Sequence, residues 1–333
     1  VSTEEIRVVA ELTPAEVAEV TALCERSTSV DGVHPLSEHV QLHLRQGGDH
    51  GDGGTDPQDG DRHLLAVLAG DGQDETIVGY GHLDPTDLVA GAAAEIVVHP
   101  RWRGCGVGRR LVQAAIDASP DGRLRLWAHG HHAAAQALAW SMDFTEGRRL
   151  EQWRRSLDEP LPDVRLPGGL RLRTFRPGTG DEQAWLELNA RAFADHPEQG
   201  GWTRADLEAR LAESWFDPEG FLVAEDPEAD GAMVGFHWTK VHGAAHEGDP
   251  AQRHAHDPIG EVYVVGVDPR YQGRGLGRSL TLAGLHWLQD AGLGQAMLYV
   301  EADNAAAQAV YRSLGFRHWD TDVLFYRRAA LTA

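Results

Sequence analysis

Cysteine is nearly absent from this chain: Cys24 and Cys105 are the two in 333 residues. Two thiols cannot build a disulfide framework or a cysteine-based zinc site, and their scarcity fits a reducing compartment. No apolar run approaches the length of a membrane span. The first residues, Val1-Ser2-Thr3-Glu4-Glu5, carry neither the basic nor the apolar segment of a secretory leader. The expectation is a cytoplasmic globular protein without a membrane partner. Positive charge is also short, with 30 Lys and Arg against 51 Asp and Glu, a net charge of −21. Such a surface repels phosphate backbones, so a nucleic-acid partner is not expected. An anionic ligand must then be held by local geometry, where backbone N–H groups converge.

The length suits two ordinary domains, and an internal repeat supplies them. Ile96-Val97-Val98-His99-Pro100-Arg101-Trp102-Arg103-Gly104-Cys105-Gly106-Val107-Gly108-Arg109 aligns with Val265-Gly266-Val267-Asp268-Pro269-Arg270-Tyr271-Gln272-Gly273-Arg274-Gly275-Leu276-Gly277-Arg278, an offset of 169 taken from Gly104 and Gly273. Ala133-Ala134-Ala135-Gln136-Ala137 matches Ala305-Ala306-Ala307-Gln308-Ala309 at an offset of 172. Two matches in one order, differing by a three-residue gap, imply one duplicated fold. Pro and Gly in 157–169 mark a linker, which places an N-terminal domain at 1–156 and a C-terminal domain at 170–333. Gln46–Asp61, rich in Gly and Asp, reads as a mobile loop. Val241–Pro258 reads as a polar insertion between strands.

Each copy alternates strands and helices in one pattern. An apolar strand runs into the glycines, an amphipathic helix follows, then a strand, a short helix over Ala-Ala-Ala-Gln and a final strand. The fold class is α/β (α+β), with a mixed sheet flanked by helices. Glycines that lead into a helix let backbone N–H groups approach an anion, helped by the helix dipole, and the expected ligand group is a pyrophosphate. A Walker loop would need Gly-Lys-Ser/Thr, whereas Gly277-Arg278-Ser279 lacks the lysine. A dinucleotide fingerprint would need Gly-x-Gly-x-x-Gly directly after the strand, whereas Asp268 to Gln272 intervene. The remaining pattern, Gln/Arg-x-x-Gly-x-Gly, resembles the pyrophosphate loop of the GNAT superfamily of N-acetyltransferases.

That resemblance implies acetyl-CoA as cosubstrate, possibly one per domain, and no metal. It also implies a bulged, splayed strand before the loop. Val265, Gly266 and Val267 in the second copy, and Ile96, Val97 and Val98 in the first, would then pair with the pantetheine arm. Gln272 to Arg278, and Gly104, Cys105, Gly106, Val107, Gly108 and Arg109, would hold the pyrophosphate. Asn304 and the segment Ala305 to Ala309 would flank the thiol end, and His132 stands in the first copy where Asn304 stands in the second. Glu261 would be the catalytic base and Tyr311 the acid beside the sulfur. The repeat offsets set Ala92 and Ala139 against those two residues, so the first copy is expected to bind without catalysing.

Tandem copies with one intact site resemble the mycothiol synthase family over nearly the whole chain. The likeness runs through Asp31-Gly32-Val33, Trp127-Ala128-His129-Gly130, His196-Pro197-Glu198-Gln199-Gly200-Gly201-Trp202, Gly235-Phe236-His237-Trp238-Thr239-Lys240, Gly260-Glu261-Val262 and Leu298-Tyr299-Val300-Glu301-Ala302-Asp303-Asn304. It implies a small-molecule amine substrate, the cysteinyl amine of a cysteine–glucosamine–inositol pseudodisaccharide, and contacts from Glu38, Glu198, Lys240, Glu261 and Tyr299. A monomer is expected. The insertion between Lys240 and Glu261 departs from the pattern and bears on the placing of Lys240. His242, His246, His254 and His256 cluster there on no fixed scaffold, so no metal site is expected. An N-acetyltransferase for another amine or a protein N-terminus, and a non-catalytic acyl-CoA sensor, are the alternatives.

Overall fold

The computed structural model describes residues 4–46, 61–69, 75–86, 91–130, 132–242 and 258–327. Most of the loop expected over 46–61 lies outside the described residues, as do His246, His254 and His256. The chain divides into two compact units, Val1–Leu150 with Asp320–Ala333, and Glu151–Trp319.

In the first unit, β1 (Glu4–Val9), β2 (Arg62–Ala69), β3 (Glu75–Asp84) and β4 (Ala92–Val98) pair antiparallel in that order. β5 (Leu124–Ala128) then pairs parallel to β4. Helices α1 (Pro14–Asp31), α2 (Glu38–Gln46), α3 (Val107–Ala118) and α4 (Ala133–Trp140) belong to the same unit. α1 begins at Thr13, whose hydroxyl oxygen accepts from the Glu16 N–H while Glu16 reaches back to the Thr13 N–H, a capping box with Pro14 at the first position. α3 buries Val107, Leu111, Val112, Ala115 and Ile116, one stripe at helical spacing, against Leu64, Val78 and Leu126 of the sheet.

β6 (Thr145–Ser156) opens the way to the second unit, where β7 (Arg171–Thr174), β8 (Phe221–Asp226), β9 (Ala232–His242) and β10 (Ile259–Val267) pair antiparallel. β11 (Gln295–Glu301) pairs parallel to β10. Helices α5 (Asp181–Ala192), α6 (Pro197–Gly200), α7 (Arg204–Leu211), α8 (Leu276–Asp290) and α9 (Ala305–Ser313) accompany them, and β12 (Arg317–Arg327) ends the described chain. Both units are thus mixed, mostly antiparallel sheets flanked by helices. The glycine-led helix lies close on each sheet because a glycine faces it: a Cβ at Gly79 would meet Leu111 at 2.8 Å, and one at Gly235 would meet Leu280 at 2.8 Å.

The division falls inside β6 and inside β12, whereas the composition of the sequence points to 157–169. That segment packs on the second unit through Leu161, Val164 and Leu166. Within the first unit, β5 takes as its antiparallel neighbour Val323–Arg327 of β12, from the far end of the chain. A local pattern cannot foresee this, since strand pairing depends on a partner almost two hundred residues away.

Two buried histidines are kept neutral. His237 donates from Nδ1 to the Leu280 carbonyl at 2.8 Å, and Gly284 makes room for its ring, since a Cβ there would lie 2.0 Å away. Burial pushes His237 down to about 4, and burial with the neighbouring His82 pushes His63 down to about 4. In the unfolded chain both titrate near the ordinary value of ~6.5. The folded form therefore takes up these protons later than the unfolded form. Their contribution is complete above pH 6.5 and is lost as pH falls from there through 4, at up to about 3 kcal/mol each. The urea midpoint should accordingly drop between pH 7 and pH 4.5, and His63→Gln should flatten that slope. An equal slope in the variant would refute the assignment.

Candidate active site

The two copies build the same frame. β4 pairs with β5 from Ala92 to Glu95, and β10 pairs with β11 from Gly260 to Val262. Each strand then runs on, held on its other side by β3 or β9, as far as Val98 or Val267. The departing backbone of Ile96–Val98 and of Val264–Val267 leaves N–H and C=O groups facing a cleft. An extended ligand arm can pair there as an added strand.

At the end of each cleft a single turn of 3₁₀ helix (Pro100–Trp102; Pro269–Tyr271) leads into the glycines. Gly104 and Gly106 have φ of 74° and 91°, and Gly273 and Gly275 have 74° and 86°. No atom lies within 4 Å of a Cβ built on any of the four. Gly106 and Gly275 cap α3 and α8 without a side-chain hydrogen bond, so the first N–H groups of each helix stay available. This is a cradle shaped for an anion, and its residues fit the pyrophosphate of acetyl-CoA. In the first unit the cleft is a cavity of about 400 Å³ bordered by Val97, Gly104, Gly106, Trp127, His129 and Phe325.

Several loop side chains turn out to brace the cradle. Gln272 donates from Nε2 to the Val267 carbonyl at 3.2 Å, and Arg103 donates from Nε to the Val98 carbonyl at 3.1 Å. Arg103 also forks onto Asp31 at 2.7 and 2.6 Å. Arg109 donates to Ser141 Oγ at 2.6 Å and Arg278 to Ser313 Oγ at 3.4 Å, the same brace in each copy. Asp268 is buried, and hydrogen bonds from Arg270, joined by Arg191, hold its carboxyl well below the usual carboxylate range. Asn304 caps α9 by accepting from the Ala307 N–H at 3.0 Å, whereas His132 makes no side-chain cap bond on α4. Gln308 is buried, and its amide donates to the carbonyls of Glu301 and Ala302. Cys105 is exposed.

In the second unit a one-residue bulge interrupts β10. Val262 faces Thr239 and Val264 faces Trp238, which leaves Tyr263 as the extra residue. The first copy runs without one along β3–β4. This corrects the correspondence read from the offset. Through the neighbouring strands, Glu261 (opposite Met297) matches Ala93 (opposite Arg125), and Ala92 matches Gly260. The extra residue shifts the register by one below the bulge. Alanine still stands where the carboxylate is.

Glu261 is 7% exposed and lies 2.6 Å from Nε2 of His242. Its cross-strand neighbour is Lys240, 8% exposed, so the insertion after His242 leaves that lysine in register. The Lys240 ammonium sits 4.5 Å from the ring centre of Trp215 and 5.3 Å from that of Tyr263, a cation held by two aromatic faces. Arg210 lies over Trp202 at 3.9 Å and donates to the Tyr263 hydroxyl at 2.9 Å. Tyr311, half-buried on α9 against Phe316, has its phenol pushed up to about 12 by burial. Tyr299 accepts from Gln152 at 2.8 Å. Glu198 falls in α6, but its side chain lies outside the described residues. Glu38 opens α2 in the first unit.

One cluster has no counterpart in the sequence reading. In the first unit His129 stands between Glu95 (3.3 Å) and Asp322 (3.1 Å). Burial opposes its charge, but hydrogen bonds to Asp322 and Glu95 outweigh this and lift the imidazole to about 10. Glu95, also accepting from the Ser37 N–H at 2.5 Å, comes down to about 2. Asp322 is 193 positions from His129, which is why no local motif reveals the group.

A splayed parallel strand pair above a glycine-capped helix, built twice, defines a tandem acetyltransferase fold of the GNAT class. Residues 183–316 match the acetyltransferase (GNAT) family, and residues 61–146 match the acetyltransferase (GNAT) domain. A tandem GNAT protein from the clavulanic acid biosynthesis pathway has the same fold, with a TM-score of 0.67 and 20% identity over 99% of this chain and 100% of that one. The mycothiol acetyltransferase of Acidothermus cellulolyticus is 53% identical over 95% of this chain and 92% of its own length. That of Streptosporangium roseum is 50% identical over 93% and 95%. The chain belongs to the mycothiol acetyltransferase family.

The strained glycine at the head of α8 offers a direct check. Gly275→Ala forces a side chain into left-handed backbone and should cost about 1–2 kcal/mol, read as a lower melting temperature. Acetyl-CoA affinity should fall with it, because the loop N–H groups lose their aim. Unchanged affinity in a measurably destabilised variant would mean that the second loop is not the anion site.

Proposed function

We propose that this protein moves the acetyl group of acetyl-CoA onto the cysteinyl α-amine of 1D-myo-inositol 2-(L-cysteinylamino)-2-deoxy-glucopyranoside, with the second unit as the catalyst. The observation that carries this reading is the buried carboxylate of Glu261, two residues before the bulge at which β10 turns away from β11. An α-amine has a pKa near ~8, so a carboxylate at the cleft suffices to remove its proton. Tyr311 keeps its proton at neutral pH and can give it to the departing sulfur. Lys240, Tyr299 and Glu198 of the second unit are proposed to orient the polyhydroxylated substrate, whose ammonium favours carboxylates.

Each unit is proposed to take one acetyl-CoA. Support for the first site comes from its cavity and its open glycines, while Ala93 and Ala139 in place of Glu261 and Tyr311 leave it without a proton acceptor or donor of that kind. The proposed functional segments are 1–156 and 170–333, joined by 157–169, in a monomeric cytoplasmic enzyme. No helix among the described residues is long and apolar enough to cross a membrane.

Turnover measured by release of the CoA thiol tests the reading. Glu261→Gln and Tyr311→Phe should each lower kcat by roughly 10²–10⁴-fold with little change in acetyl-CoA affinity. Simple amines and N-terminal peptides should react more slowly than the cysteinyl pseudodisaccharide, and a faster simple amine would overturn the substrate assignment. Equilibrium dialysis should count two acetyl-CoA per chain. Gly106→Glu should reduce this to one and spare turnover, and complete loss of turnover would show the first site to be essential.

A further inference from the structure

We propose that His242 is the proton outlet of Glu261, a positioning and relay residue for the transfer reaction. The inference rests on Glu261 acting as the base. Turnover of an ammonium substrate must discharge one proton to water. Of the three protons on the ammonium nitrogen, the amide keeps one, the CoA thiol takes one and the third has to leave. Glu261 receives that third proton but is itself buried, its side chain 9% exposed, so it needs a route to solvent before it can act again.

His242 supplies the route. Its Nε2 lies 2.6 Å from Oε2 of Glu261, and its side chain is 35% exposed, so the ring touches both the buried carboxylate and water. Lys240 and His242 stand two residues apart on β9 and share a face, with Glu261 opposite Lys240. Lys240 cannot serve, because an ammonium carries no lone pair to accept the proton. Imidazole takes up and releases protons near neutral pH. In the step, the O–H bond of protonated Glu261 breaks as an N–H bond forms at Nε2, and the ring passes one proton to water. The carboxylate and the neutral ring are then both restored, and nothing is oxidised or reduced.

The test compares His242→Ala, His242→Gln and Glu261→Gln in the full-length enzyme, with acetyl-CoA and the cysteinyl pseudodisaccharide. Both His242 variants should lose kcat by about 10-fold or more while KM for acetyl-CoA stays within twofold. Added imidazole should restore His242→Ala, where it can occupy the vacated space, and leave His242→Gln unchanged. Wild-type kcat in His242→Gln would overturn the relay, since an amide can orient the carboxylate but cannot carry its proton. Wild-type kcat in His242→Ala would overturn it outright, as would failure of imidazole to rescue that variant while it melts like the wild type. Should Glu261→Gln itself keep full turnover, the base assignment fails, a result separable from failure of the outlet alone.

Discussion

A strand that leaves its partner halfway strands its own backbone. Every N–H and C=O on the abandoned side must find another partner or face water, and a buried group left unpaired costs about 1–3 kcal/mol. The cleft between β4 and β5, and that between β10 and β11, both follow from this one departure. The rest of each unit keeps the departing strand in place. Its other edge stays in the antiparallel ladder, the glycine-led helix packs on the sheet across Gly79 or Gly235, and Arg103 or Gln272 ties the loop back to the last strand carbonyl. The sheet is thereby left with an incomplete edge that an extended ligand can complete.

The two copies solve the junction of the cleft differently. In the first, Glu95 ends the paired part of β4, and the imidazolium of His129 bolts it to Asp322 on β12. Both ring nitrogens are committed to carboxylates, so the group braces three strands and has no free position for proton traffic. In the second, Val264 occupies the position of Glu95, and the bulge at Tyr263 bends the strand. The bulge turns Tyr263 toward the aromatic cluster around Trp238, and that cluster in turn supplies the ring faces under Lys240. A structural ion triad in one copy thus stands against a single buried carboxylate with an imidazole beside it in the other.

Much of this is legible in the sequence, and the reason is that it is local. The glycine loop shows because positive φ and close approach demand glycine at fixed spacing, and the duplication makes each loop a control for the other. Glu261 and Tyr311 are singled out by the family resemblance, and the repeat adds that the first copy has alanine in their place. What stays hidden depends on distant register or on a one-residue insertion among apolar residues. The bulge moves the counterpart of Glu261 from Ala92 to Ala93, which no offset could reveal. The pairing of β12 with β5, and with it the His129 triad, depends on residues nearly two hundred positions apart. His242 reads as one histidine in a polar insertion until β9 is seen to extend through it beside Glu261.

The charge balance shows how far a global property can be trusted. At −21 the chain as a whole opposes an anionic cosubstrate and favours an ammonium one. At physiological ionic strength, fields from exposed charges fade over about 8 Å, so binding is decided by what lies within that distance of the loop. Along the two loop segments of the sequence the balance is positive. Arg101, Arg103, Arg109 and Arg110 lie in or beside the first loop along the chain, and Arg270, Arg274 and Arg278 in or beside the second, each added to helix N–H groups that stay available. Several of these arginines are braced by serine hydroxyls or buried carboxylates, which fixes where their charge sits. An acidic protein can therefore still present an anion cradle, because its arginines are concentrated in the glycine loops, where helix N–H groups are left available.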